Sequence, residues 1–407
     1  MIHTIESGSS RASKCISMGI CFVFLLTSSQ TLRAQIKLVF PLGGTAFEDW
    51  VIGNYNDVDT RPIADSDYRG GNYTYDGHDA LDIGLAHFRK MDEGVTVLAA
   101  APGTVVTAMD GAFDRWAPSN PNPPGEIGNL VVIDHGGGIR TTYAHLKKDS
   151  VSVQVGDSVI AGQQVGLVGS SGGSTGPHLH FAVYQNGNPV ETYKNPDQWW
   201  YDPLPYTGDV PGVLDSGIAN HWPTQTEVEA GVHHQGIYSV EDGSGQLAVM
   251  WNYLYGISAG SEISFQFLRP NGSQYANYQW TDENGLTVGF WNIGVDLPSS
   301  PDLGVWNVNF RVNGELISNK SFLVVEPIPG DFDLDGDVDG EDFLSWQRGD
   351  SPVALSRQDF DDWQETYGTA TPYSAVSTQI PEVSSSTLIL IGILTSLVRR
   401  QLVTREV

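Results

Sequence analysis

Residues 174–181 read Ser-Thr-Gly-Pro-His-Leu-His-Phe and place His178 and His180 two positions apart. Side chains alternate between the two faces of a β-strand, so both imidazoles are expected on the same face of an extended segment. Such a pair can be two ordinary core or surface histidines, or one side of a metal site that takes a further donor from elsewhere in the chain. The stretch therefore predicts a strand and directs attention to other potential ligands.

A second group of potential ligands lies upstream, where His78 and Asp82 are bracketed by Gly77 and Gly84. On a straight strand His78 and Asp82 would lie about 13 Å apart, which is too far for one ion held at about 2.0–2.2 Å from each donor. The glycines permit a turn that leads into a strand, so the two side chains can converge. Two histidines and one aspartate leave the fourth position of a tetrahedral zinc open, as in catalytic sites. Zinc is the expected metal, although imidazole and carboxylate also accept other divalent ions.

The composition limits the range of functions. A chain of 407 residues suits two or three domains. The formal net charge is -27 and the pI is near 4.4, which argues against a nucleic acid partner because phosphate binding requires clustered Lys and Arg. Both cysteines, Cys15 and Cys21, lie near the N-terminus, so no disulfide framework is expected.

Both ends of the chain carry apolar segments. Residues 1–34 are similar to a secretory signal peptide, with an apolar run at 16–26 and expected cleavage after Ala34. The apolar residues 387–398 would cover roughly 18 Å as a helix, against a hydrocarbon core of about 30 Å. We therefore expect export to the periplasm, cell envelope or medium, with membrane contact only through these terminal segments.

The C-terminal segment, residues 371–407, also resembles the bacterial PEP-CTERM sorting signal. Ile380-Pro381-Glu382 precedes the apolar run, and Arg399-Arg400 follows it at once. Val383 departs from that signal, which has a second proline at this place. The resemblance implies that the tail anchors the chain in the membrane transiently during export.

Between the ends, the pattern predicts a mainly β protein. Residues 35–204 are rich in Gly, Val and short strand-like runs, and residues 205–224 are predicted to be a linker because they contain Pro and Gly. Residues 225–326 alternate between apolar and polar positions and contain turns such as Asn313-Gly314, which is typical of β-hairpins. An immunoglobulin-like β-sandwich is the expected fold of this region, acting as a spacer or binding module.

An acidic loop follows at residues 331–342. Oxygen donors stand at positions 1, 3, 5, 7, 9 and 12 of the loop, and Gly336 at position 6 permits the sharp turn of a calcium loop. Asp342 at position 12 is shorter than the glutamate of an EF-hand. The predicted calcium ligands are Asp331, Asp333, Asp335, Asp337 and Asp342.

A short repeat accompanies the acidic loop. The segment at residues 342–347 recurs at 359–364 with Phe and Trp three positions apart, which predicts two short helices that pack their aromatic side chains together. With its single acidic loop, the region at 327–370 resembles a dockerin module that has lost one calcium site. The resemblance implies a cohesin-like or surface partner, and a calcium-stiffened stalk is an equal alternative.

Six ordered pieces of sequence resemble the lysostaphin-type (LytM-like) zinc metallopeptidases. The pieces are His78-x-x-x-Asp82, residues 97–105, residues 128–136, Tyr143-Ala144-His145-Leu146, Val155-Gly156-Asp157 and residues 169–180. They span about a quarter of the chain. The resemblance implies a two-layer antiparallel β peptidase domain with an open groove, within residues 35–204.

The resemblance also implies a chemistry. His78, Asp82 and His180 would bind zinc, and His145 and His178 would be catalytic histidines beside it. A zinc-activated water would then attack the scissile carbonyl of a peptide bond in bacterial peptidoglycan, in a cross-link or a stem peptide. Neutral imidazoles can shuttle the required proton.

Several features leave alternatives open. The chain could be a catalytically degenerate regulator with the peptidase fold, or a cohesin-binding or surface protein with a vestigial peptidase. Ala80 and a Pro-rich insertion at residues 110–124 depart from the usual pattern of the family. His135 is expected to be structural, with a groove-lining role as the alternative, and four further histidines are expected to be solvated or incidental, namely His87, His221, His233 and His234.

Overall fold

The structure is a computed structural model of the chain. It describes residues 36–61, 63–115, 127–230, 236–239, 246–326, 328–333 and 336–370. The predicted signal peptide with both cysteines, the sorting tail, Asp335, His233, His234 and much of the Pro-rich insertion lie outside these residues. Within the described ranges, no helix is both long and apolar enough to cross a membrane.

The first part of the chain forms an antiparallel sheet and a smaller one. Its strands are β1 Trp50–Asn54, β2 Leu81–Leu85, β3 Thr96–Leu98, β4 Gly103–Met109, β5 Asn129–Gly136, β6 Ile139–Leu146, β7 Ser158–Val159, β8 Gln164–Leu167, β9 His178–Gln185 and β10 Asn188–Pro189. The large sheet has the order β1-β2-β9-β6-β5-β4-β7, and β10 pairs with β9. Strands β3 and β8 form the small sheet. Helices α1 Phe88–Glu93 and α2 Pro196–Trp199 and two 3-10 helices, Thr192–Lys194 and Thr207–Asp209, complete this part.

The large sheet has one buried face and one open face. On β9, Leu179, Phe181 and Val183 are buried, and Phe181 lies opposite the buried Tyr143 of β6. The residues between them, including His178 and His180, therefore point to the opposite, open face. The strand and the shared face that the His-x-His spacing predicts are both present.

The second part of the chain contains two sheets around one apolar core. Its elements are β11 Gly212–Ala219, α3 Gln225–Ala230, β12 Ile237–Ser239, β13 Leu247–Ile257, β14 Ser261–Leu268, β15 Gln274–Asp282, β16 Leu286–Asp296, β17 Gly304–Val312 and β18 Glu315–Val325. The sheets have the orders β11-β13-β16 and β12-β18-β17-β14-β15, and both contribute to one cluster of buried side chains. This arrangement is a β-sandwich, and its immunoglobulin-like character stays a prediction.

The predicted linker at residues 205–224 contains structure of its own. Strand β11 pairs along its length with β13 of the sandwich, although it carries two glycines. A Cβ atom at Gly212 would lie 2.2 Å from the Tyr255 hydroxyl, and one at Gly217 would lie 2.7 Å from Nε1 of Trp251. These glycines make room for neighbouring aromatic side chains, and therefore do not mark a flexible spacer.

The last described part is a pair of short helices, α4 Gly340–Arg348 and α5 Arg357–Thr366. The ring centroids of Phe343 and Trp363 lie 5.0 Å apart, and those of Trp346 and Phe360 lie 4.9 Å apart. The two helices thus pack the repeated aromatic side chains together, as their spacing predicts. Asp339 caps α4, and Gly349 ends it in a left-handed conformation.

Candidate metal centre

Three of the predicted metal ligands meet at the junction of β2 and β9. Gly77 has a positive φ of 77° and turns the chain just before His78, which lies three residues before the start of β2. Asp82 lies on β2 directly opposite His180 of β9. One donor atom from each of His78, Asp82 and His180 lies within 4.8 Å of the others. The bend inferred from the sequence therefore brings the donors together.

The separations of these donor atoms fit a single small cation. Oδ1 of Asp82 lies 3.1 Å from Nε2 of His78 and 3.0 Å from Nδ1 of His180. Two donors bound tetrahedrally at about 2.1 Å would lie roughly 3.4 Å apart. The buried Nε2 of His78 has no hydrogen bond of acceptable geometry among the described residues. The nitrogen–oxygen–nitrogen donor set and this orphaned nitrogen suit a divalent metal.

Backbone and carboxylate groups fix the orientation of the imidazole ligands. Nδ1 of His78 lies 2.8 Å from the carbonyl oxygen of Tyr55. A carbonyl oxygen only accepts hydrogen bonds, so this nitrogen carries the proton and Nε2 is left for the metal. Nε2 of His180 lies 3.7 Å from Oδ1 of Asp79, on the side away from Asp82.

The centre strongly favours a negative charge on Asp82 and a positive charge next to it. Burial raises the pKa of Asp82, but the neighbouring His178, His180 and His78 outweigh that effect and hold it well below the ordinary value. Burial lowers the pKa of His180, but the neighbouring carboxylates of Asp79 and Asp82 prevail and raise it to about 9. A place that holds a proton this strongly also attracts a metal cation, which would replace that proton.

The two predicted catalytic histidines lie beside these donors. The rings of His145 and His178 are 4.7 Å apart. Nδ1 of His145 lies 2.6 Å from the carbonyl oxygen of Ser171, and Nδ1 of His178 lies 2.9 Å from that of Gly176. Both Nδ1 atoms therefore carry the proton, and Nε2 of His178 lies 3.6 Å from Oδ1 of Asp82.

His145 is held in the neutral form. Burial, followed by the charges of His178 and His180, lowers its pKa to about 3. Its backbone is in the left-handed region, with a φ of 62° at the end of β6. A non-glycine residue rarely adopts this conformation, and such residues concentrate at functional sites.

Comparison with known proteins agrees with this arrangement. The sequence profile of Peptidase family M23 matches residues 77–192, which include all five histidine and aspartate residues of the centre. These residues resemble a LytM-type M23 peptidase domain and are called the M23 domain below. They contain the metal centre and every strand of the large sheet except β1.

Curated relatives match only a part of this chain, and the match covers only a small part of their own length. The DD-carboxypeptidase/endopeptidase Mpg of Neisseria meningitidis serogroup B (strain MC58) is 48% identical over 107 residues, which are 26% of this chain and 23% of that protein. The Peptidoglycan DD-endopeptidase ShyA of Vibrio cholerae is 46% identical over 67 residues, or 16% of this chain and 15% of ShyA. The Murein hydrolase activator EnvC of Escherichia coli K12 is 36% identical over 107 residues, or 26% of this chain and 21% of EnvC. The chain thus covers less than a quarter of each relative.

Among solved structures, the catalytic domain of lysostaphin from Staphylococcus simulans matches with 27% sequence identity. The match covers 36% of this chain and 88% of that chain, with a TM-score of 0.24.

The M23 domain also places residues at the centre that the sequence reasoning did not single out. The Tyr75 ring stacks on His78 with centroids 4.4 Å apart, and Tyr75 remains half exposed. The Tyr184 hydroxyl donates a hydrogen bond of 2.6 Å to Asp79, the carboxylate next to His180. Asp79 could have been found from the sequence, because its carboxylate directly follows the predicted ligand His78. Nothing in the sequence around Tyr75 or Tyr184 indicates a role at the centre.

His135 and His87 have structural contacts in the M23 domain. Nδ1 of His135 lies 2.8 Å from the carbonyl oxygen of Pro102, and Nε2 lies 2.8 Å from the Thr141 hydroxyl, which is the structural role that we expect. The expectation that His87 is solvated or incidental is wrong, because His87 is buried. It caps α1 and lies 3.0 Å from Asp215 of β11.

The acidic loop forms a second group of carboxylates. Asp331, Asp333 and Asp342 each place an oxygen within 4.8 Å of the others, and so do Asp337, Asp339 and Asp342. Both groups share Asp342, which accepts hydrogen bonds from the backbone N–H groups of Phe332, Asp333 and Asp339. The predicted ligand Asp335 lies outside the described residues.

Proposed function

We propose that this chain is an exported zinc metalloendopeptidase that hydrolyses peptide bonds in bacterial peptidoglycan, in a cross-link or a stem peptide. The observation that carries the proposal is the convergence of His78, Asp82 and His180 on one point, with His145 and His178 beside it. Zinc is the metal on which M23 peptidases depend. A relative that matches a part of this chain, ShyA, is named a Peptidoglycan DD-endopeptidase.

The metal would be held by Nε2 of His78, Oδ1 of Asp82 and Nδ1 of His180, since these atoms face one another. A bound zinc supplies a Lewis acid for the scissile carbonyl and lowers the pKa of water. The backbone carbonyl of Tyr55 and the carboxylate of Asp79 keep the imidazole ligands oriented.

His145 and His178 would handle the proton. Each ring commits its Nδ1 proton to a backbone carbonyl, so each Nε2 can accept the proton that the attacking water releases. The water oxygen forms a bond to the carbonyl carbon, and the protonated imidazole can stabilise the developing oxyanion. The proton then passes to the leaving amine as the carbon–nitrogen bond breaks.

Digestion of purified peptidoglycan by the full chain tests this function. We expect soluble peptides whose masses identify one broken peptide bond, with activity lost on chelation and restored by zinc. Intact peptidoglycan after incubation with the zinc-loaded protein would contradict the proposal.

A catalytically degenerate regulator is the second candidate, because another relative that matches a part of this chain, EnvC, is named a Murein hydrolase activator. The presence of all five residues of the centre favours hydrolysis, since a degenerate site is expected to lack a ligand. Adding the chain to an independent murein hydrolase separates the two functions: a regulator would change the rate of that enzyme while releasing no peptide by itself.

We also propose that the loop at residues 331–342 binds one calcium ion. Two overlapping groups of carboxylates share Asp342, and calcium prefers several oxygen ligands of this kind. Isothermal titration of the full chain with calcium tests the proposal: one site per chain that is lost in Asp331→Ala is expected, and titration without heat would contradict it.

The two-helix region that contains the loop would serve as a dockerin-like module for a cohesin-like or surface partner. Its surface presents exposed apolar side chains at Leu344, Val353, Leu355 and Tyr367. The alternative is a calcium-stiffened stalk that binds no protein. Calcium-dependent retention of the chain on an immobilised cohesin domain would support the docking role, and calcium-independent passage would support the stalk.

A further inference from the structure

A cavity of about 470 Å³ opens on the same face of the large sheet as the metal centre. Its floor is a row of side chains across three neighbouring strands. Asp134 of β5 lies opposite Arg140 of β6, which in turn lies opposite Tyr184 of β9. Thr142 and Asn186 complete the polar part of the lining. Most of the polar side chains of the cavity therefore lie on three paired strands.

The cavity and the metal centre are physically connected. His180 and Tyr184 lie on the same strand and the same face, four residues apart, which corresponds to about 13 Å. Asp79 lies between them, since it accepts the Tyr184 hydrogen bond and lies next to His180. An extended peptide that crosses the centre along β9 would reach the cavity about four residues from the bond that is cut, at about 3.3 Å per residue.

Arg140 is the one cation among the residues that line the cavity. Its Nε donates a hydrogen bond of 3.1 Å to Oδ2 of Asp134, whose Oδ1 accepts from the backbone N–H of Gly136 at 2.7 Å. These contacts lower the pKa of Asp134, the Gly136 bond most, and keep it ionised. Among the described residues, the two terminal nitrogens of Arg140 donate no hydrogen bond to protein.

This arrangement leaves the two terminal nitrogens of Arg140 as a preoriented pair of hydrogen-bond donors. A guanidinium edge with two free N–H groups binds a carboxylate through two parallel hydrogen bonds. Because Asp134 offsets the charge of Arg140, the selectivity would come from this paired geometry more than from net charge. A neutral carboxamide offers only one acceptor atom and would bind more weakly.

We propose that this cavity is a substrate subsite in which Arg140 binds a free carboxylate of the peptide, about four residues from the cleaved bond. The inference rests on the proposed peptidoglycan hydrolysis and adds a substrate class to it. Peptides with an unmodified carboxylate at that distance would be preferred over their amidated forms.

The test uses cross-linked peptides released from purified peptidoglycan, either native or with their carboxylates converted to carboxamides by carbodiimide and ammonia. For Arg140→Gln we expect the KM for native peptides to rise roughly tenfold to hundredfold with little change in kcat, since a hydrogen-bonded charged pair is lost. With amidated peptides, Arg140→Gln and the wild type should have the same KM. Arg140→Lys keeps the charge but lacks the pair of parallel donors. Its KM for native peptides should therefore lie between those of the wild type and Arg140→Gln.

Arg311→Gln is the matched control, because Arg311 lies on β17 of the sandwich and is absent from the lining of the cavity. It should leave both KM values unchanged. Arg140 is half exposed, so Arg140→Gln is expected to melt at the wild-type temperature. An Arg140→Gln protein that cuts native peptides with the wild-type KM would overturn the proposal.

Binding to the chelator-treated protein separates this proposal from the proposed hydrolysis. Calorimetry should show that the wild type binds native peptides at least about tenfold more tightly than amidated ones, and that Arg140→Gln removes the difference. Arg140-dependent binding by a protein that cuts nothing would support the subsite and contradict the hydrolase. Hydrolysis of both peptide forms without any dependence on Arg140 would support the hydrolase and contradict the subsite.

Discussion

The M23 centre and the acidic loop gather their donors in opposite ways. Donors of the centre come from His78, Asp82 and His180, and the last two lie 98 positions apart in the chain. Donors of the loop come from the consecutive residues 331–342. Strand pairing positions the first group, whereas a local turn positions the second.

This difference determines what each group needs from an ion. In the centre, one carboxylate is surrounded by imidazoles that backbone carbonyls already orient, so the fold sets the geometry without a metal. In the loop, several carboxylates lie within 4.8 Å of one another and repel until a cation neutralises them. We therefore expect loss of metal to stop the chemistry at the centre but to reduce stability at the loop.

The largest expected effect comes from Asp82→Asn. The substitution keeps the shape of the side chain but removes the charge that holds the metal, so we expect zinc content to fall and hydrolysis to drop at least about 10⁴-fold. Asp76→Asn is the control, because Asp76 is an exposed residue two positions before His78. It should retain the zinc content and the rate of hydrolysis of the wild type. Metal analysis and a peptidoglycan digest of the same preparations measure the two quantities. Wild-type zinc content in Asp82→Asn would show that the ligand set is wrong.

His145→Ala separates proton transfer from metal binding. His145 makes no predicted bond to the metal, so zinc content should stay at the wild-type value. Hydrolysis should fall about 10²- to 10³-fold, which is within the range for one general acid–base group. Kinetics with zinc-loaded protein measure this loss. Undiminished turnover would leave His178 as the only histidine available for the proton.

Calcium is expected to stabilise the region of the loop without changing the activity of the centre. At a concentration of 100 times its Kd, calcium should add about 2.7 kcal/mol to the stability of the region that contains the loop, while the rate of hydrolysis stays the same. Differential scanning calorimetry of the full chain measures the shift of that transition. Asp331→Ala should abolish the shift, and Asp350→Ala, at an exposed aspartate outside the loop, should preserve it. A calcium-dependent rate of hydrolysis would mean that the two sites are coupled.

Residue types and spacings in the sequence point to the candidate donors of the centre, but the choice of His180 over His178 as a ligand comes from the resemblance to the lysostaphin-type family. Strand alternation predicts that His178 and His180 share a face, and Gly77 predicts the turn that brings His78 to Asp82. The acidic loop can be recognised from the sequence for the same reason, since its donors lie close together in the chain. Local patterns of this kind need no knowledge of how distant strands pair.

Contacts between distant parts of the chain could not be predicted in this way. The carbonyl of Tyr55, which orients His78, is a backbone group that any residue would supply. Asp79 and Tyr184 meet only because β2 pairs with β9. The glycines of β11 predict a linker from the sequence, whereas in the structure they accommodate the rings of Tyr255 and Trp251.

The smallest expected effect concerns His87, which is buried like the predicted ligand His78 but lies outside both candidate sites. Its Nδ1 accepts from the backbone N–H of Lys90 and caps α1, and its Nε2 lies 3.0 Å from Asp215. His87→Ala should therefore cost about 1–2 kcal/mol of stability, mainly through the lost cap and the lost bond to Asp215, and leave hydrolysis unchanged. Calorimetry at pH 7 measures the loss, with His221→Ala, at an exposed histidine, as the control.

The pH dependence of this loss distinguishes the Asp215 contact from the helix cap. Burial raises the pKa of Asp215, but its polar contacts, first among them the hydrogen bond from His87, hold the pKa below its ordinary value. The carboxylate therefore adds stability above its unfolded pKa of about 4, and this stability is lost as the pH falls through the lower folded value. The difference between wild type and His87→Ala should shrink on acidification below about pH 4 by the share that Asp215 contributes. A difference that stays constant to pH 2 would assign the whole effect to the cap of α1, and the contact between the M23 domain and β11 would then add nothing to stability.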